Sequence, residues 1–162
     1  MSLNHLISSV DIDANFNSLK VQGVTVTPSV NVMCKCYNST TVNNGDIILT
    51  NKLIDTHNAY NLVTGKYTIP VAGNYYISGL YQSNNQSFNI NGYLELYINY
   101  NNTGVFPYNL IAGNRSETTG NINRYVQGSS VFAANAGDTV SLYKNAQFLS
   151  APINCVFAII KI

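Results

Sequence analysis

Tyr60-Asn61-Leu62-Val63-Thr64-Gly65-Lys66-Tyr67-Thr68-Ile69-Pro70-Val71-Ala72-Gly73-Asn74-Tyr75-Tyr76-Ile77 is two short extended runs separated by turns. Gly65 and Gly73 permit turns that need positive φ. Tyr67-Thr68-Ile69 ends at Pro70, which donates nothing to a ladder. The run that opens at Tyr75 continues to Tyr81. In it Tyr75, Ile77, Gly79 and Tyr81 share one face, while Tyr76, Ser78, Leu80 and Gln82 share the other. Tyr60, Tyr67 and Tyr75 are expected in the interior of a sandwich.

The pattern repeats on both sides of this stretch. Val30 to Tyr37 alternates, and Asn43-Asn44-Gly45-Asp46 is a tight-turn signal before Ile47-Ile48-Leu49. Ser83-Asn84-Asn85-Gln86 separates the Tyr75–Tyr81 run from Tyr93–Tyr100, and Asn101-Asn102-Thr103-Gly104 marks another turn. Val105 to Ile111 follows, with Pro107 at an edge or bulge. A long polar loop is expected from Gly113 to Asn123. Tyr125–Ala134, Thr139–Lys144 and Ile153–Ile162 complete the set, with no convincing helix. Short strands at even spacing predict an all-β sandwich or barrel. In the Tyr93–Tyr100 strand, Leu94, Leu96, Ile98 and Tyr100 oppose Tyr93, Glu95, Tyr97 and Asn99. Large apolar or aromatic groups thus stand on both faces, where a lone sandwich would keep one face wet. Tyr76, Leu80, Tyr93 and Tyr97 are therefore predicted at a subunit interface, since a tyrosine ring buries area while its hydroxyl finds a partner.

Residues 1–29 differ in character and are expected to form a stem before a head of 30–162. Leu3, Leu6, Ile7 and Val10 have helical spacing. Leu19 to Thr27 alternates like a strand broken at Gly23 and ended by Pro28. This segment cannot bury its apolar side without the head or other chains.

Charged residues make up only 9% of the 162 residues, against about 25% in an ordinary soluble domain. Asn, present 25 times, carries much of the surface polarity instead. Such a surface suits association with copies of itself. The net charge is +1 with Lys and Arg scattered singly, so no basic stripe exists for nucleic acid. No apolar run reaches the length of a membrane span. Met1-Ser2-Leu3-Asn4-His5 lacks a basic region followed by an apolar stretch, so no secretory signal is expected. Cys34, Cys36 and Cys155 are too few and odd in number for a disulfide framework. They are free buried thiols, or one of the first two bridges to Cys155 if the first and last strands pair. His5 and His57 lack the spacing to complete a metal site with them.

Asp55, Tyr60-Asn61, Thr64-Gly65-Lys66-Tyr67, Pro70-Val71-Ala72-Gly73-Asn74-Tyr75 and Ile77 together resemble the signature of the complement component 1q globular head, and so of the tumour necrosis factor-like group. Ala136-Gly137-Asp138-Thr139-Val140-Ser141-Leu142 is similar to the family's step into a late strand. Val156-Phe157-Ala158-Ile159-Ile160 is similar to its closing strand. Tyr67 and Ile77 stand where Phe is usual, and Gly79 where an aromatic is usual. The resemblance covers about residues 30–162 and implies a ten-stranded antiparallel jelly roll, a threefold homotrimer, and recognition of proteins or glycans through loops. Some relatives bind calcium, but seven carboxylates without an acidic cluster do not support that site here, and no cofactor is expected. Asp138 reads as a turn former rather than a metal ligand.

Neither the signal peptide nor the collagen-like stalk usual in that family is expected from residues 1–29. Leu19 to Thr27 instead resembles the repetitive β stems of virion fibre and surface proteins of large DNA viruses and their satellites. We therefore expect a non-enzymatic trimeric head on a virion surface that attaches to a cell-surface protein or glycan. Its binding loop would present Arg115, Glu117 and Arg124. The alternatives are a secreted, extracellular complement-like or cytokine-like ligand domain and, more remotely, a carbohydrate-active enzyme. For catalysis only His5 and His57 are available, and His57 with Asp55 lies in a motif the fold explains.

Overall fold

The computed structural model describes residues 10–12, 19–21, 24–26, 31–39, 45–88, 92–101, 110–115, 120–146 and 152–162, with side chains at 31–38, 45–83, 92–101, 113, 125–146 and 154–162. The chain divides into two compact units, Met1–Asn31 and Val32–Ile162; the sequence reading puts the boundary between 29 and 30. In the first unit, β1 (Val10–Ile12), β2 (Leu19–Val21) and β3 (Val24–Val26) form an antiparallel meander. Val10 is thus in a strand, not a helix, because its amide ladder pairs it with Val21. Leu3, Leu6 and Ile7 lie outside the described residues.

The second unit contains β4 (Met33–Ser39), β5 (Gly45–Asp46), β6 (Leu49–Asp55), β7 (Tyr60–Asn61), β8 (Lys66–Thr68), β9 (Gly73–Phe88), β10 (Tyr93–Tyr100), β11 (Leu110–Arg115), β12 (Gly120–Ala134), β13 (Thr139–Ala146) and β14 (Pro152–Lys161). One sheet has the order β12-β9-β14-β4-β6. The other runs β11-β10-β13-β8-β7, with β5 also on β13. β8 pairs with β13 at Thr139–Val140 and β5 pairs with it at Tyr143–Lys144, while β10 holds the opposite edge. β5 and β8 therefore share one strand position, and the two sheets have ten positions, as expected of the jelly roll.

Two stretches read as loops are strands. Ser83 to Gln86 continues β9. Gly113–Arg115 and Gly120–Asn123, expected in a polar loop, belong to β11 and β12. Asn, Ser and Gly have low β propensity, but a continuous ladder from Gly120↔Phe88 to Ala134↔Gly73 overrides it. A register shift between Ile122 and Arg124 absorbs the mismatch. Asn supplies special backbone positions elsewhere: Asn38, Asn58 and Asn101 have φ of 57°, 48° and 53°, the left-handed region its short amide tolerates.

The core lies between the sheets. Tyr60, Tyr67, Tyr75 and Tyr81 are all buried there with Leu94, Leu96, Leu142, Phe157 and Ile159. Gly79 shows how close the sheets come. A Cβ there would stand 2.7 Å from Leu142 Cδ2 and 3.1 Å from Leu96 Cδ2, so these two leucines fill the space that an aromatic at this position would need. Gly65, at φ +72°, has a different constraint: its Cβ would meet the Ile47 carbonyl oxygen at 2.6 Å. The signature's tyrosines differ in how their hydroxyls are satisfied. Tyr60 accepts the Leu49 N–H at 3.0 Å and Tyr75 donates to the Val71 carbonyl at 2.5 Å. The buried Tyr67 hydroxyl finds no hydrogen-bond partner among the described residues.

β4 and β14 do pair, yet Cys34, Cys36 and Cys155 are buried thiols that form no disulfide. The register places Ile159 opposite Cys34 and Phe157 opposite Cys36, so neither thiol faces Cys155 across the ladder. Cys34 and Cys36 instead contact each other at 3.5 Å. That hydrogen bond first, and burial second, push the Cys34 thiol well above its ordinary range.

Candidate association face

The two sheets turn very different outer surfaces to solvent. On the six-stranded sheet the surface is polar and bonded to itself. The Glu95 carboxylate accepts from the Tyr97 hydroxyl at 2.7 Å and from Asn145 Nδ2 at 3.0 Å. Asp46 accepts from Asn99 Nδ2 at 2.9 Å and Ser141 Oγ at 2.7 Å, with the Lys66 ammonium 4.0 Å away. Burial pushes the Tyr97 phenol up to about 12, and the hydrogen bond to Glu95 adds to this.

The five-stranded sheet is the opposite case. Its register lines up three rows across the outer surface: Val131-Tyr76-Ile160-Met33, Ser129-Ser78-Ala158-Lys35-Ile54, and Gln127-Leu80-Val156-Tyr37-Asn51. Lys35 is the single charged residue in the three. Six large hydrophobics stand exposed on this face: Tyr37, Ile54, Tyr76, Tyr125, Val131 and Ile160. Leu53 adds a seventh at the edge, where the shift from Lys35↔Ile54 to Cys36↔Lys52 leaves it unpaired and 65% exposed. The remaining exposed large hydrophobics among the described residues are Leu62 and Val63, between β7 and β8, and the terminal Ile162. The middle row is small where its neighbours are large. A groove of about 340 Å³ therefore opens over Ser78 and Ser129, walled by Tyr76, Leu80 and Val156.

The predicted interface residues fall on both surfaces. Tyr76 and Leu80 lie on the apolar one, whereas Tyr93 and Tyr97 lie on the polar surface of the opposite sheet. One flat contact cannot include all four. Strand alternation located all of them as outward-facing, but it does not say which sheet each strand joins. Tyr97 is also only 8% exposed, so it has little surface left for a partner. The residues missed from sequence are Tyr37, Ile54, Tyr125, Val131 and Ile160. Tyr37, Tyr125 and Ile160 stand beside the core residues Cys36, Val126 and Ile159, and Val131 beside the partly buried Phe132, so alternation was available signal for these four; Ile54 lies between Leu53 and Asp55 at a register shift, where a period of two fails.

The predicted binding loop has a different outcome. Arg115 closes β11 opposite Tyr93, and Arg124 lies in β12 opposite Ser83; their side chains, and all of Glu117, lie outside the described residues. Asp138, the residue read as a turn former, is held by Tyr100 and Asn101 side chains and by the Asn135 N–H. These donors, Tyr100 foremost, keep its carboxyl below the usual range. Asp55 likewise accepts from the Ala59 and Tyr60 amides and from Lys52 Nζ. Burial alone would raise it, but these donors outweigh that and lower it. His57 Nδ1 is engaged with Thr56 Oγ1 at 2.9 Å, not with Asp55. Asp55 and Asp138 thus organise turns.

No family model and no curated protein matches the chain. Among solved structures, the globular domain of zebrafish complement 1qA protein superposes with a TM-score of 0.62 at 19% identity, covering 81% of this chain and 97% of that one. The Eiger tumour necrosis factor from S. frugiperda gives 0.61 at 8% identity, covering 82% and 92%. The likeness extends over nearly the whole length of both neighbours, and the ten-position sheet order agrees with it. This chain is all-β and antiparallel, and it has the complement 1q and tumour necrosis factor-like jelly-roll fold.

Proposed function

We propose that this chain is a non-enzymatic recognition or structural head that acts as a homotrimer, with the outer face of the five-stranded sheet buried between copies. The apolar, almost uncharged set of rows on that face carries the reading. Exposed apolar patches of this kind on a soluble domain mark association surfaces, and the depletion of charge at their centre is the compositional mark of an interface core. The self-bonded polar network makes the opposite face the solvent side. The groove beside Tyr76 would receive a side chain from a neighbouring copy. An obligate contact of this type buries on the order of 2,000 Å² or more in total.

A head of this form would attach to a cell-surface protein or glycan, with a virion surface as its setting. The stem-like Leu19–Thr27 segment supports that setting. The names of the structural neighbours, a complement domain and a tumour necrosis factor, favour an extracellular ligand domain as the second reading. Both readings need the trimer. Sedimentation equilibrium across a hundredfold dilution tests it, with a mass of three chains expected. Ile160→Asp should shift that mass toward one chain while leaving the β spectrum intact. A concentration-independent monomer for the unaltered chain would end both readings. A glycan array and a cell-binding assay then distinguish the ligand classes.

A further inference from the structure

The meander of the first unit has a feature that strand periodicity alone does not reveal. Val10 pairs with Val21 and Ile12 with Leu19; Val21 pairs in turn with Val24 and Leu19 with Val26. The register therefore assembles two rows, Val10-Val21-Val24 and Ile12-Leu19-Val26, on one face of the sheet. The intervening row, Asp11-Lys20-Thr25, falls on the other face. All six positions of one face are aliphatic. The other face is polar, with an acid and a base directly opposed.

Among the described residues of this unit, no second layer stands against the aliphatic face. Ordering nine strand residues costs about as much free energy as complete burial of six aliphatic side chains returns. A three-residue strand adds few ladder bonds to that balance. The meander is therefore ordered only where its aliphatic face is fully covered. Resting on the trimeric reading above, we propose that the cover is the same face of two sister meanders. Three sheets would turn their valine and leucine rows to a common axis and leave the Asp11-Lys20-Thr25 rows outside, as a threefold β stalk.

Three observations favour sister chains as the occupant. The meander and the head are separate compact units. Only residues 27–32 separate β3 from β4, a tether of at most about 20 Å, and β4 belongs to the sheet proposed to meet its copies. Once three heads associate, three meanders share a small volume at an effective concentration in the millimolar range. Finally, the aliphatic face carries no charge that a turn about a threefold axis would bring against itself.

The test uses the full chain with a single cysteine added on either face, Val21→Cys or Lys20→Cys. The native thiols are buried. The two variants are oxidised in air with copper–phenanthroline, and their mass is measured in parallel. We expect both to sediment as trimers, with Val21→Cys forming covalent dimers about tenfold faster or more than Lys20→Cys. Equal rates in a trimer, or a Val21→Cys thiol that stays reduced and shielded from alkylating reagent, would overturn the stalk while leaving the trimeric head in place. A monomeric mass would overturn both. Val21→Asp provides a second measurement: it should lower the dilution at which the trimer dissociates by about tenfold or more, and no change would count against the stalk.

Discussion

Removing the Tyr67 hydroxyl should stabilise this protein, whereas the same change seven residues earlier should harm it. Tyr67 is wholly buried, and its hydroxyl is the one buried side-chain oxygen or nitrogen among the described residues without a hydrogen-bond partner. An unsatisfied buried hydroxyl costs roughly 1–3 kcal/mol of lost hydration. Tyr67→Phe removes that cost and keeps the ring, including its tilted contact with Phe157 at 6.3 Å. The void left by one oxygen returns less than about 1 kcal/mol. The net expectation is a gain of about 1–2 kcal/mol, or roughly 3–6 °C in Tm for a chain of this size. Tyr60→Phe is the control. Its hydroxyl accepts the Leu49 N–H at 3.0 Å, so its loss leaves a β6 donor without an acceptor and should cost about 1–2 kcal/mol. Urea unfolding and thermal melts at one fixed protein concentration would measure both, because association itself raises Tm. If Tyr67→Phe were as harmful as Tyr60→Phe, the hydroxyl would have a partner, such as a bound water, and the reasoning would be wrong.

Asp55→Ala should destabilise by about 1–2 kcal/mol, since one carboxylate holds two turn amides and Lys52; chemical unfolding measures it. Asp55 and Asp138 have lowered folded-state values, so their stabilisation is complete above the unfolded carboxylate range near about 4 and is lost as pH falls through the folded values. An acid titration of unfolding midpoints should show this loss, reduced in Asp138→Asn. Burial lowers the Lys144 ammonium to about 8, so the unfolded chain binds the extra proton between there and about 10.4. Stability measured relative to Lys144→Met should therefore rise from pH 8 to 9.5; the comparison cancels the opposing effect of the Cys34 thiol, whose folded value lies above the unfolded range. Gly79→Ala should cost about 1–3 kcal/mol by overpacking against Leu96 and Leu142, and a double variant with Leu142→Val should recover part of that loss in the same unfolding assay.

Much of the head is legible in its sequence because strand alternation and turn chemistry are local. The faces of Tyr75–Tyr81 and Leu94–Tyr100 could be assigned from a period of two, and the turn role of Asp138 from its neighbours. Loop boundaries at Ser83–Gln86 and Gly113–Asn123 were misjudged for the converse reason. Those residues have loop composition, but Ser83 and Gln86 ladder with Arg124 and Ile122 and Gly113–Arg115 with Tyr93–Glu95, and pairing between positions about 20 to 40 residues apart is not a local property. Lys144 was legible neither as a core residue nor as a charge. Only the register shows that it alternates with Val140 and Leu142 into the interior, where its ammonium lies 5.2 Å from the centre of the Tyr81 ring.

The same distinction explains why the association face could be anticipated in kind but not in place. Alternation identifies outward positions strand by strand, and both Tyr76 and Tyr97 qualify. Their difference arises only from what the neighbouring strands bring. β10 is placed beside β13, with β5 on the far side of that strand, and their Asn145, Ser141 and Asp46 supply donors and acceptors, so Tyr97 spends its hydroxyl on Glu95 within its own sheet. β9 is placed between β12 and β14, whose outward residues beside Tyr76 are Val131 and Ile160, and neither offers a hydrogen bond. Two tyrosines with the same local signal thus become a hydrated network on one side and an uncovered apolar surface on the other. The sheet order, and not the residue type, decides which of them needs another copy of the chain.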